Sequence, residues 1–132
     1  MPDAFQVHVV TPEKQVLSEQ TIYASIPAWD GLVGIESQRA PLLLKLGYGP
    51  LRLDLADGQS RTLFAGGGFA QMKDNVLTLL LDEALEPDDI NVDEARAALD
   101  QAIAFQATTE EAHAKRERDQ NKARGLLAVA TR

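Results

Sequence analysis

The chain has 132 residues, a formal charge of −7 and no cysteine. It is long enough for one domain, or for a compact domain with a small appendage, and too short for two full domains. The absence of cysteine removes disulfides, thiolate metal sites and cysteine nucleophiles, and the acidic balance argues against nucleic acid, whose binders carry a concentrated positive field.

The opening residues Met1-Pro2-Asp3-Ala4-Phe5 lack the basic start and apolar stretch of a secretion signal, and the longest apolar run, Val76 to Leu81 with Thr78, is too short to span a bilayer. A cytoplasmic protein is expected. From Phe5 to about Ala84, short apolar segments of period two alternate with turn residues, as in an all-β sandwich or barrel. Phe5, Val7 and Val9 alternate with Gln6 and His8, and Thr21 to Ile26 reads as a strand with Pro27 at its end. Leu51, Leu53 and Leu55 alternate with Arg52 and Asp54, and Asp57-Gly58 supplies a tight turn before Ser60 to Ala65 returns. A second hairpin runs from Phe69-Ala70-Gln71-Met72 through Lys73-Asp74-Asn75 into Val76 to Leu81, whose near-continuous apolarity predicts burial on both faces.

After Glu86 the period becomes helical. Asn91 followed by Glu94 forms a capping-box pattern, and Val92, Ala95, Leu99, Ala102, Ile103 and Gln106 share one stripe, which predicts a helix from Val92 to Ala107. Thr108 followed by Glu111 repeats the signal and predicts a second helix from Thr109 towards Thr131, antiparallel to the first. The middle of that helix, His113 to Arg124, is almost wholly polar, whereas Leu126 to Ala130 is apolar. Two alanine-rich stripes bury a handful of side chains at about 1.5–3 kcal/mol each, against an ordering cost of roughly 1–2 kcal/mol per backbone residue. The hairpin therefore needs support from the sandwich or from a partner.

No segment reads as catalytic. Gly66-Gly67-Gly68 lacks the Lys-Ser or Lys-Thr and the helix of a phosphate loop, so a bulge or close backbone approach at a strand start is expected. Asp89, Asn91, Asp93 and Asp100 have the outline of a calcium loop, but Glu94 takes the place of its turn glycine, and acids at a helix start already suit the helix dipole. His8 and His113 stand alone, and no Gly-x-Ser-x-Gly elbow is present. The mixed run Lys115 to Asp119 reads as a solvated helix face. Met72-Lys73 in a hairpin turn is reminiscent of biotinyl and lipoyl carriers, which lack so long a helical tail; a free-standing ligand-binding sandwich is the other alternative.

The segments Ile26-Pro27-Ala28-Trp29-Asp30-Gly31-Leu32-Val33-Gly34-Ile35 and Arg39-Ala40-Pro41-Leu42-Leu43 resemble the epsilon subunit family of bacterial and chloroplast rotary ATP synthases. The similarity extends through Val7 to Glu13, Leu46 to Arg52, Gly67-Gly68-Phe69, Asp74 to Leu79 and Val92 to Ala97. It implies an α+β architecture: an antiparallel sandwich of about ten strands over residues 1–86 and a helical hairpin over 87–132. It also implies a non-catalytic rotor subunit of the central stalk, peripheral to the cytoplasmic face of the bacterial plasma membrane and without membrane insertion. In this family the sandwich meets the gamma shaft and the polar loops of the proton-carrying c-ring. The hairpin packs on the sandwich or extends to the alpha and beta subunits and hinders ATP hydrolysis.

Residue by residue, the resemblance implies docking through Trp29, Asp30, Gly31 and Leu32 and through Arg39, Ala40, Pro41 and Leu42. The family pattern Gly-Glu-Leu-Gly is Gly31-Leu32-Val33-Gly34 here, and Gly-His-Ala-Pro is Gln38-Arg39-Ala40-Pro41, so polar pairing with the ring differs. Lys115, Arg116, Arg118, Lys122 and Arg124 are the expected inhibitory cations of the hairpin. Asp93 and Arg96 match the family's nucleotide motif; where ATP-binding relatives carry further arginines on the second helix, Lys122 takes one place and apolar Leu126 another, with Arg124 as a substitute, so no cofactor is expected beyond ATP as a weak ligand.

Overall fold

The computed structural model describes residues 3–130. Seven strands come first: β1 Phe5–Val10, β2 Gln15–Ala28, β3 Gly31–Glu36, β4 Leu42–Leu55, β5 Ser60–Lys73, β6 Val76–Leu81 and β7 Ala84–Leu85. A 3-10 turn, Pro87–Asp89, leads into α1 Val92–Ala104 and α2 Glu110–Ala130. The hydrogen-bonded order β1-β6-β5-β4-β2 is closed by a β1–β2 pairing, with β3 added beside β2 and β7 beside β5. The sandwich is thus a barrel-like ring of five strands, and closure removes most of its free edges.

Seven strands replace the expected ten or so because β2, β4 and β5, each of 14 residues, run on through bends that would divide shorter strands. The β2–β4 register shifts between Thr21 and Tyr23 and again between Ser25 and Ala28. Pro27 falls inside the second shift, where a missing N–H breaks no regular ladder. One pairing also departs from the antiparallel expectation, since β1 runs parallel to β6.

Alternation places Phe5, Val7 and Val9 of β1, Leu51, Leu53 and Leu55 of β4, and Leu77, Leu79 and Leu81 of β6 in one buried core. β6 is not buried on both faces as its composition suggested, since Leu80 is 54% exposed. Both anticipated turns form: Gly58 has φ 90°, and Asp74 and Asn75 have φ 53° and 63°, the paired left-handed residues of a two-residue hairpin. The triple glycine lies within β5, not at a strand start. There Gly68, at φ 124°, lies so close to the Leu80 carbonyl that no Cβ fits.

Helix α1 starts as expected, with the Asn91 side chain accepting the Glu94 N–H at 3.0 Å. It ends at Ala104 instead of Ala107, because Arg116 of α2 donates to the carbonyls of Ala102 at 3.2 Å and Ile103 at 3.1 Å. The second cap is Thr109, not Thr108; its hydroxyl accepts the Ala112 N–H at 3.1 Å. Thr131, the expected end of α2, lies outside the described residues. Ala95 and Ala102 are the buried members of the α1 stripe, while Ile103 is exposed. Helix α1 leans on α2, and α2 packs on β4 and, over a smaller area, on β5.

Candidate partner interface

The turn Trp29-Asp30 joins β2 to β3 after the Ala28–Gly31 pair, and the Trp29 N–H donates to the Lys45 carbonyl at 3.0 Å. The backbone is pinned while the side chains stay outside: Trp29 is 70% exposed and Leu32 64%. The second loop is pinned too. Gln38 has φ 64°, and its N–H donates to the Asn75 side-chain oxygen at 2.7 Å, so the β5–β6 turn fixes where Arg39 begins. Arg39 and Ala40 are exposed, and the Arg39 guanidinium folds back to the Ala40 carbonyl at 3.4 Å. Leu42 belongs to β4 and packs partly against the core. The two loops occupy opposite ends of β3, about 17 Å apart along extended chain, and so do not form a single site.

Between and beside them lies a surface that sequence reasoning missed. The register brings Lys45, Phe69, Leu80 and Val10 into one row across β4, β5, β6 and β1. A second row holds Leu43, Gln71, Thr78 and His8, with Ser18 of β2 bonded to the His8 ring at 2.9 Å. A third holds Lys73, Val76, Gln6 and Gln20, whose two glutamine side chains are hydrogen-bonded. Of 20 acidic residues in the chain, these three rows contain none, although Leu43 is 71% and Phe69 53% exposed. Exposed Leu43, Phe69 and Leu80 set among lysine and uncharged polar side chains, with no acid in the three rows, suit a protein–protein contact. The signal available in the sequence was the pairing of apolar and basic residues at the outward positions, but only the register aligns them.

The hairpin encloses a groove of about 540 Å³ between α1, α2 and the segment around Asp89. Asp93 and Arg96 are exposed on α1 and do not line it. Its cations are already engaged: Lys115 pairs with Asp119 at 2.7 Å and lies 5.5 Å from the Phe105 ring centre, Arg116 caps α1, and Lys122 reaches Glu83 at 3.5 Å. Of the remaining expected cations, Arg124 bonds Gln120 at 3.4 Å, and Arg118 makes no ion pair or hydrogen bond among the described residues. A second cleft, of about 680 Å³, separates α2 from the Trp29 turn and is lined by Arg118 and Arg124. Among the described residues no cluster of histidine and carboxylate groups is placed to hold a metal ion, and no helix is long and apolar enough to cross a membrane.

Pinned loops, three outer rows without acids and an attached helical hairpin make up a two-part protein of sandwich and hairpin. The ATP synthase delta/epsilon chain beta-sandwich domain matches residues 4–87, and the chain belongs to that family as an epsilon chain, a non-catalytic subunit. It is 37% identical over 122 residues to the ATP synthase epsilon chain of Rhodopirellula baltica, covering 92% of this chain and 94% of that one. It is 38% identical over 102 residues to the epsilon chain of Nitratidesulfovibrio vulgaris, covering 77% and 75%. The fold is similar to a chain in the Euglena gracilis mitochondrial ATP synthase OSCP/F1/c-ring structure, with TM-score 0.84, 21% identity and coverage of 97% of this chain and 82% of that one. A chain of the Tetrahymena thermophila mitochondrial ATP synthase central stalk and c-ring superposes with TM-score 0.75 at 14% identity, covering 98% and 99%.

Proposed function

We propose that this epsilon chain works in the central stalk of a proton-translocating rotary ATP synthase, at the cytoplasmic face of the bacterial plasma membrane. Its sandwich links the gamma shaft to the c-ring, and its hairpin restrains ATP hydrolysis when it leaves the sandwich for the alpha and beta subunits. The observation that carries the docking role is the acid-free face around Phe69 and Leu80, with the Trp29 and Arg39 loops as further contacts. In a chain of net charge −7, three adjacent rows without a carboxylate suit a partner that covers them. The assembly is tested by co-purification: tagged chain should bring down gamma and the catalytic hexamer, and a tagged chain that emerges alone from its host would refute the role.

The hairpin is proposed as a regulatory element without nucleotide sensing. A triphosphate requires several free cations converging on it. The groove's three cations are spent on internal partners, and Asp93 and Arg96 lie away from it, which supports weak or absent ATP binding. Arg118 and Arg124, exposed beside the cleft under the Trp29 turn and away from the groove, are the cations best placed to meet acidic groups of a partner.

A further inference from the structure

We propose that the hairpin is held on the sandwich by one clamp, Gly125 of α2 seated against Gly49 of β4 and the Phe64 ring, and that the fit at residue 125 sets how often the hairpin leaves. Only the consequence for ATP hydrolysis rests on the braking role proposed above.

Three observations meet at this point. A methyl group built on Gly125 would stand 3.0 Å from the Gly49 nitrogen and 3.1 Å from both the Gly49 Cα and Phe64 Cε1, so helix and strand touch backbone to backbone. Glycine inside a helix weakens it relative to alanine, and here the close approach is what requires it. Phe64 itself is fully buried, yet it has the opposite strand parity to Leu63 and Ala65, which join the barrel core while it does not. Its ring therefore lies on the outer side of β5, where α2 reaches it.

The other buried residues of α2, Ala123 and Val129, lie close to this contact, within about one turn of Gly125. The Lys122–Glu83 pair has side chains 46% and 43% exposed, where ion pairs contribute little. The upstream part of α2 faces the open cleft below Trp29. Opening the hairpin uncovers Phe64 and leaves the barrel core closed.

Hydrogen exchange on the full chain tests the clamp. Gly125→Leu overpacks the contact, and Phe64→Ala removes its floor. Both should make amides of residues 110–130 exchange roughly tenfold faster or more, with β1 to β6 unchanged. Ala128→Leu, at an exposed position on the same helix, should change nothing. If Gly125→Leu also opens the barrel, Phe64→Ala alone decides. Unchanged protection of α2 in Phe64→Ala and in a folded Gly125→Leu overturns the clamp. The reconstituted ATPase then separates the two ideas: faster α2 exchange with lowered hydrolysis supports both, whereas faster exchange with unchanged hydrolysis keeps the clamp and refutes the brake.

Discussion

Asn75 and Gln38 hold each other in place across the barrel: the Asn75 side-chain oxygen accepts the Gln38 N–H at 2.7 Å, and both residues are left-handed, at φ 63° and 64°. Asn75 also donates to the Ala4 carbonyl at 3.2 Å, so one side chain joins the β5–β6 turn, the start of β1 and the loop that carries Arg39. Asn75→Ala should lower unfolding free energy by about 1–3 kcal/mol, from left-handed strain and lost hydrogen bonds together. Asn75→Gly tolerates the conformation and isolates the hydrogen-bond part. Urea denaturation of both variants gives the split, and equal stability of wild type and Asn75→Ala would show that the turn is not held by this residue.

The outer face can be tested separately from the fold. Phe69 and Leu80 point outward, so Phe69→Asp and Leu80→Asp should leave stability within about 1 kcal/mol. Binding to gamma should weaken by about 2 kcal/mol, roughly thirtyfold, if these side chains anchor the contact. Titration calorimetry with purified gamma reads this directly. Trp29→Ala and Arg39→Glu, measured alongside, show how much the loops add, and full-strength binding in both aspartate variants would remove the face from the interface.

ATP should bind the isolated chain weakly, with a Kd near or above about 1 mM. Calorimetry with ATP and Mg²⁺ measures it. Micromolar affinity that is lost in Arg96→Ala would restore nucleotide sensing and require α1 and α2 to rearrange around Arg96.

Arg116 is the cation most fully engaged within the packed hairpin. It satisfies carbonyls at the end of α1, so Arg116→Ala should fray that end at a local cost of about 1–2 kcal/mol, visible as faster exchange of amides 101–105. A brake that acts through charge should depend instead on Arg118 and Arg124. The double alanine variant should raise ATP hydrolysis while Arg116→Lys does not; equal effects of the two would point to helix stability in place of charge.

What the sequence made legible follows from local physics. Alternation identified β1, the Asp57-Gly58 hairpin and the Asp74-Asn75 turn, because period and left-handed turn chemistry are written into adjacent residues. The cap at Asn91 was equally readable. What escaped depends on distant pairing. The end of α1 is set by Arg116, some 12 residues away along the chain, and the cap chosen between Thr108 and Thr109 depends on how α2 turns back. β3 begins at a glycine and carries a second at Gly34, so its strand character comes from pairing with β2 and not from its own composition. Leu80 read as core because its strand is almost wholly apolar; only the register places it beside Phe69 on the outside. Phe64 was equally hidden, since Leu63 and Ala65 share its burial for a different reason.

The most direct measurement removes the hairpin from the assembled enzyme. A chain lacking residues 88–132 keeps all seven strands, so the complex reconstituted with it should retain gamma, coupling and near-normal ATP synthesis while hydrolysing ATP faster than the complex with the full chain. Loss of coupling together with loss of gamma binding would place the docking function in the hairpin, and hydrolysis unchanged across salt and nucleotide conditions would contradict the brake.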